Sequence, residues 1–201
     1  MKTITGLFDT YSDASAAVSQ LETAGVASKD ISIVSNNADN RHENEMSGAA
    51  EGAGAGAGIG AVVGGAGGLL TGLGIMAIPG VGPVVAAGWL AATAAGAVAG
   101  AMAGGAAGGL IGALTDSGVP EEDAHVYAEG VRRGGTLVTA RVDDSLHGRA
   151  ESILKQSKWV DPAERRRAYN EQGWTRFDDT LAPYGATDVE QERARYTRSG
   201  L

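Results

Sequence analysis

Glycine recurs at every fourth position through two blocks of the chain, and this spacing limits the fold more than any other feature. The blocks are separated by the stretch IPGVGP, and Ala92 fills the one gap in the second block. Between Glu51 and Asp116 no residue is charged. The glycines of this ladder are Gly52, Gly56, Gly60, Gly64, Gly68, Gly72, Gly88, Gly96, Gly100, Gly104, Gly108 and Gly112.

A helix this rich in glycine is unstable alone in water, because each glycine costs about 1 kcal/mol relative to alanine. Glycines four residues apart nevertheless leave a groove into which a second backbone fits closely, as in GxxxG helix pairs. We therefore predict a helical hairpin over residues 52–115, with helices at 52–76 and 84–114 that pack through their glycine faces. Its turn is predicted at Pro79, Gly80, Gly82 and Pro83.

The glycine-rich region has three possible interpretations. Each arm exceeds the roughly 20 residues that cross a bilayer, and large apolar residues gather at the tip, so the hairpin fits a membrane entered from the cytoplasmic side. The flanks are acidic, with Glu43, Glu45 and Glu51 before the hairpin, whereas cytoplasmic flanks of membrane helices usually carry Lys and Arg. The alternatives are a soluble homo-oligomer that buries the hairpins against one another and a flexible glycine-rich linker.

The segments on either side of the glycine region each contain a strand, a helix and a strand. Residues 3–8 and 30–36 have strand composition, and the apolar stripe between them ends at Gly25. After a helix that begins near Pro120, TLVTARV (136–142) alternates as a strand does, a further helical stripe follows, and KWVD (158–161) is a short strand.

Two such halves predict an α+β fold, a ferredoxin-like four-stranded antiparallel sheet with helices on one face. In this sheet Val138, Ala140 and Val142 face the helices. Leu137, Thr139 and Arg141 then lie on the open face, where a second subunit would contact them.

The predicted organisation has five parts. They are the first half of the ferredoxin-like domain (1–36), a linker (37–51), the glycine-zipper hairpin (52–115), a helix with the second half of the domain (116–162), and an irregular polar C-terminal tail (163–201). The tail carries aromatic residues, so it either wraps onto the domain or a neighbouring subunit, with a short helix at 187–197, or is disordered with docking motifs.

The stretch TITGLFDTYSDASAAVSQLETAGVASKDISIVSN and the later VPEEDAHVYAEGVRRGGTLVTARVDD resemble the YflT-like general stress proteins that carry a glycine-rich hairpin. The resemblance extends over about residues 1–162. It implies a bacterial, stress-linked protein without enzymatic activity.

Composition excludes several classes of function. The net charge of -8 argues against a nucleic-acid surface, and the absence of cysteine excludes disulfides and cysteine-ligated metal. No export signal is visible at the N-terminus, so a cytoplasmic location is expected.

We find no catalytic constellation, cofactor site or metal site in the sequence. His42, His125 and His147 are the histidines of the chain, and His125 follows Glu122 by three residues, a spacing that could join two metal ligands on a helix, but an HxxxH pattern or a third ligand is absent. The stretch GVRRGG (130–135) ends a helix, whereas a phosphate loop opens one. Together with the stress-linked role that the resemblance implies, these features predict a non-enzymatic stress-response protein that self-associates through its hairpin, at the inner face of the cytoplasmic membrane. The alternative is a soluble homo-oligomeric regulatory or structural module whose domain binds an unknown small ligand.

Overall fold

A computed structural model describes residues 1–38, 74–78, 80–93 and 109–199. The described strands form one antiparallel sheet in the order β1-β5-β2-β4-β3. These strands are β1 (Lys2–Phe8), β2 (Ile31–Asn36), β3 (Gly74–Ile78), β4 (Gly82–Gly88) and β5 (Thr136–Val142). The helices are α1 (Tyr11–Thr23), α2 (Gly109–Asp116), α3 (Glu121–Arg132), α4 (Asp144–Gln156), α5 (Pro162–Glu171) and α6 (Ala186–Ser199).

Three of the four strands predicted in the flanking segments form one side of this sheet. β5 lies between β1 and β2, and Leu7 and Val34 both oppose Leu137. The short strand predicted at 158–161 is reduced to a single bridge between Leu7 and Val160. The mixed helix and strand class is confirmed, but the described residues form a sheet of five strands where four were predicted, and the ferredoxin-like topology is not confirmed.

Residues 74–88 differ from the prediction, because they form two strands where the ends of two helices were expected. β3 and β4 make a hairpin in which Ile78 pairs with Gly82, and the chain reverses at residues 80–81. β4 also pairs with β2, so the hairpin extends the sheet. The branched residues Val84 and Val85 are fully buried there, and pairing with β2 satisfies the backbone of this apolar stretch.

Gly88 belongs to the predicted glycine ladder, but its place in the structure is the end of β4. It lies opposite Ser32 at a φ of 91°, and an added Cβ would overlap the carbonyl oxygen of Ile31. Of the other ladder glycines, Gly112 lies within α2, and the rest fall outside the described residues. Of the predicted turn residues, Gly80 lies in the turn and Gly82 and Pro83 are the first residues of β4, with Gly80 and Gly82 at positive φ, whereas Pro79 lies outside the described residues.

Helices cover both faces of the sheet, so the prediction of helices on one face is wrong. α1 and α4 pack on the face that carries Val138, Ala140 and Val142, as expected. The opposite face carries Leu137 and is covered by α2 and α3, with Leu114, Tyr127 and other apolar side chains in the contact.

The residues predicted for a subunit contact are consequently occupied within the chain. Leu137 and Thr139 are buried, at 1% and 0% exposure. Arg141 pairs with Asp30 at 3.2 Å, and its guanidinium lies 4.6 Å from the ring centre of Trp89. Leu137 and Thr139 are therefore not exposed for a subunit contact, whereas the Arg141 side chain is 41% exposed, and the contact with a second subunit stays a prediction.

The C-terminal part of the chain is not the irregular tail that was predicted. Asp161 caps α5 by accepting hydrogen bonds from the amides of Ala163 and Glu164, and Pro162 occupies the first turn. The predicted helix at 187–197 is observed as α6. Tyr169 in α5 is fully buried, as is Val189 in α6, so this segment packs onto the domain.

Candidate functional site

Three charged side chains meet at the C-terminal end of α3. Glu129 lies three and four residues before Arg132 and Arg133, a spacing that places all three on one side of the helix. The Glu129 carboxylate accepts a hydrogen bond from Arg133 Nε at 2.6 Å and from Arg132 Nη1 at 3.1 Å. Its side chain is 1% exposed, so the two ion pairs are shielded from water.

Arg133 extends this network to the C-terminal segment. Its Nη1 donates to Gln172 Oε1 at 2.6 Å and to Glu192 Oε1 at 2.9 Å. Burial alone would lower the pKa of Arg133, but the hydrogen bond and charge of Glu129, with a further bond from Glu192, raise it above its ordinary value. Arg133 therefore stays charged and joins α3 to α6.

Arg132 and Gly134 provide further attachment points for the C-terminal segment. Arg132 Nη2 donates to the carbonyl oxygen of Ala182 at 3.2 Å, and its guanidinium lies 4.9 Å from the ring centre of Tyr184. In the other direction, Arg193 donates to the carbonyl oxygen of Gly134 at 2.8 Å. These contacts all involve the GVRRGG stretch, which the sequence analysis rejected as a candidate phosphate loop.

A second group of side chains joins α5 and α6 to the start of α1. Arg165 pairs with Asp9 at 2.8 Å and lies 3.7 Å from the ring centre of Tyr196. Tyr196 donates its hydroxyl proton to Glu192 at 2.9 Å, and burial with the nearby Glu192 charge raises the pKa of Tyr196 to about 12. Burial also raises the pKa of Tyr169, which packs edge-on against Trp174.

Residues 174–199, which we call the C-terminal strap, also cross the turn of the β3–β4 hairpin. Phe177 packs in the same apolar cluster as Ile78 and Val81. A Cβ added to Gly80 would lie 2.5 Å from the Cα of Asp179, and one added to Gly82 would lie 2.7 Å from Pro183. Glycine at these two positions lets the strap lie directly on the turn.

The network balances its charges, with Arg132, Arg133 and Arg165 matched by Glu129, Glu192 and Asp9. Each of these arginines takes part in an ion pair and a ring contact. Such an arrangement holds two parts of a chain together, since its charged groups are directed at one another.

The other candidate positions, a cleft and the histidines, provide weaker support for a functional site. A cleft of about 410 Å³ between α1 and α5 is lined by Asp9, Asp13, Lys158, Trp159 and Arg165 among others, and its main charges pair across it. His125 lies 3.7 Å from Glu121, His147 is half-buried on α4, and His42 falls outside the described residues. No metal-binding group of three or more His, Asp or Glu side chains occurs among the described residues.

The sequence reasoning did not find the arginine network. Two features of the sequence could have indicated the network. Glu129 precedes Arg132 by three residues and Arg133 by four, and Val189, Glu192 and Tyr196 form a stripe along α6. Neither feature predicts a contact with the other, because the two lie about sixty residues apart in the chain.

Comparison with known proteins identifies the first part of the chain. Residues 3–80 match the family model of the heat induced stress protein YflT domain. The predicted resemblance to the YflT-like stress proteins is thereby confirmed over residues 3–80, and its predicted extension to about residue 162 lies outside the match. The match begins in β1 and ends within the β3–β4 hairpin, so the strap and β5 lie beyond it.

The YflT domain supports a role in the stress response, and its family is not known for an enzymatic activity. No curated protein and no solved structure matches the chain. Among the helices of the described residues, none is both long and apolar enough to cross a membrane.

Proposed function

We propose that this YflT-domain protein is a non-enzymatic stress-response protein that acts by self-association through its glycine-rich arms. The arms are residues 52–73, before β3, and residues 94–108, between the helical residues 89–93 and α2. The ladder of glycines in both arms, without any charged residue, is the pattern that favours close backbone contact.

The β3–β4 hairpin supports this proposal because it holds the residue that follows the first arm. Gly74, which follows the first arm, pairs with Ala86 near the end of β4. The first arm therefore ends beside the strand that leads into the second arm. An arm that is anchored at one end to the sheet loses less conformational freedom when it packs against the arm of a second copy.

The same hairpin argues against membrane entry with the tip leading. Val81 at the turn is 0% exposed and packs with Phe177 and the apolar residues of α2. Insertion of the tip would require this cluster to open and its apolar contacts to be given up. We therefore favour self-association over membrane association, and the experiment below distinguishes the two.

The test is sedimentation velocity of the full chain with Gly60→Leu or Gly104→Leu. A leucine at either position blocks close backbone approach, so we expect smaller assemblies than for the unmodified protein. Gly148→Leu is the matched control, because Gly148 lies on α4 with nothing within 4 Å of an added Cβ. A protein that is monomeric at all concentrations contradicts the proposal, as do variants whose assembly is unchanged.

Flotation with lipid vesicles, run on the same samples, distinguishes assembly in solution from association with a membrane. Self-association in solution predicts large particles without lipid and no flotation. Protein that floats with vesicles and is monomeric without them would favour the membrane role in its place.

A further inference from the structure

The cleft between α1 and α5 has the size of a small-molecule site. Its volume is about 410 Å³, and each residue that lines it belongs to the described part of the chain. Residues 158–161, between α4 and α5, line it together with Ala168 of α5 and Tyr196 of α6. The lining contains no residue of the glycine-rich arms, so a ligand of the cleft would be independent of the proposed self-association.

The charged side chains of the cleft do not balance. Four carboxylates against two cationic side chains leave two negative charges in the cleft. The carboxylates are those of Asp9, Asp13, Asp161 and Glu164, and the cationic side chains are Lys158 and Arg165. The whole chain has a net charge of -8, so its field also attracts cations to this surface.

One ion pair of the cleft is buried and the other is exposed. Arg165 is 6% exposed and pairs with Asp9 at 2.8 Å, so this pair stays in place when a ligand enters. Lys158 pairs with Asp13 at 3.2 Å, but the lysine side chain is 80% exposed. Exposed pairs contribute little free energy, so the ammonium group of a ligand can replace that of Lys158 at Asp13.

Asp161 and Glu164 carry the charges that remain. Asp161 accepts both capping hydrogen bonds of α5 with Oδ1, and its Oδ2 has no hydrogen bond or ion pair within the described part of the chain. Glu164 lies 3.9 Å from Arg167, and both side chains are more than half exposed. These two carboxylates are therefore available to a cation in the cleft.

Trp159 adds an aromatic surface to these carboxylates. A Cβ added to Gly6 would lie 2.9 Å from Trp159 Cδ1, so the indole rests directly on β1 and is held in place. Lys155 Nζ already lies 5.9 Å from the ring centre, a distance at which an aromatic face attracts an ammonium group. Lys158, the residue before Trp159, has a φ of 58°, and strain of this kind in a non-glycine residue is concentrated at functional sites.

The spacing of the carboxylates favours an extended cation over a metal ion. Within the described ranges, no three acidic or histidine side chains are grouped closely enough to hold one metal ion. Mg²⁺ and Ca²⁺ need six or more oxygen ligands around one point. A chain with an ammonium group at each end can instead reach separate carboxylates and place its methylene groups on an aromatic ring.

We propose that this cleft binds a small aliphatic diamine or polyamine. One ammonium group pairs with Asp13 in place of Lys158, a second pairs with Asp161 and Glu164, and the carbon chain lies on Trp159. Two ammonium groups neutralise the two unbalanced carboxylates, which a monoamine does not.

The experiment is isothermal titration calorimetry of the full chain with spermidine at low ionic strength. Asp161→Asn is the first variant, because asparagine caps a helix as well as aspartate does but lacks the charge. We expect its affinity to fall by about tenfold, the loss for a hydrogen bond to a charged group. Trp159→Ala should lose about fivefold. Glu151→Gln is the matched control, because it removes an exposed carboxylate outside the cleft, and it should bind as the unmodified protein does.

Lys158→Gln provides a test in the opposite direction. It removes the group that competes for Asp13, so we expect binding about threefold tighter, a gain that damage to the fold does not produce. Putrescine, with two ammonium groups, should also bind at least about tenfold more tightly than butylamine, which has the same carbon chain and one ammonium group.

Three results would overturn this assignment. The first is that spermidine does not bind the unmodified protein. The second is equal affinity of spermidine for the Asp161→Asn and Glu151→Gln variants. The third is displacement of spermidine by an equal concentration of Mg²⁺, because a general attraction of cations would then account for the binding.

Discussion

Replacing Glu129 by glutamine tests whether the buried arginine network stabilises the fold. Glutamine keeps the shape of the side chain but removes the charge that faces Arg132 and Arg133, whose side chains are 9% and 6% exposed. Removing one partner of a buried ion pair costs roughly 3 to 5 kcal/mol. Because Arg133 keeps Glu192 and Gln172, we expect the lower end, about 3 kcal/mol.

The assay is urea unfolding followed by circular dichroism, with a thermal melt beside it. A loss of about 3 kcal/mol in a chain of this length lowers the melting temperature by roughly 6 to 12 °C. Glu151→Gln is the matched control, because Glu151 forms an exposed pair with Lys155 at 2.6 Å, and such pairs contribute at most about 0.5 kcal/mol. Equal effects of the two substitutions, or a loss below about 1 kcal/mol for Glu129→Gln, would refute the argument from burial.

Two further predictions concern the sheet and the tyrosines. Gly88→Ala should lower the free energy of unfolding by about 2 kcal/mol or more, because the new Cβ overlaps the Ile31 carbonyl at a φ that favours glycine. The control Gly148→Ala should leave the free energy of unfolding equal or raise it. Urea unfolding of both variants checks this, and an unchanged stability of Gly88→Ala would be inconsistent with the register of β4. Stability should fall between pH 10 and about 12, since the pKa of Tyr196 is about 12 in the folded chain and near 10 when unfolded, so the stabilising effect is complete below pH 10 and is lost as pH rises through this window. Thermal melts across this range should show a shallower decline for Tyr196→Phe, and an identical decline would count against the shifted pKa.

The parts of the fold that the sequence predicted have strong periodic patterns. The alternation in residues 136–142 places Val138 and Ala140 against α1 and α4, and the stripe ending at Gly25 gives α1. In both cases polar residues mark the opposite side of the element, so the pattern identifies both the period and the buried face.

The β3–β4 hairpin was missed because its sequence contains no such marks. Residues 74–88 are all uncharged, and glycine, alanine and valine leave a helix and a buried strand equally consistent with the pattern. Gly88 continued the ladder of glycines and favoured the helical interpretation. Its place in a strand depends on pairing with Ser32, a contact that local sequence does not record.

The attachment of the C-terminal strap was hidden for a different reason. The aromatic residues Trp174, Phe177 and Tyr184 indicated that the segment has apolar side chains to bury, but ion pairs between distant parts of a chain leave no local pattern. The covered sheet face was missed with it, because the sequence does not show that α2 and α3 lie on the side of Leu137.

The central claim, that glycine-rich arms of different copies pack through their glycine faces, is tested most directly by a cysteine scan. The chain has no cysteine of its own, so single cysteines introduced one at a time from residue 53 to residue 71 report on contacts between copies without background. Packing through the ladder predicts that disulfide cross-linking peaks at Gly56, Gly60, Gly64 and Gly68, and is weak at Val62, which lies on the opposite side of a helix. A yield that is flat along the arm, or no cross-linking at any position, would contradict the account.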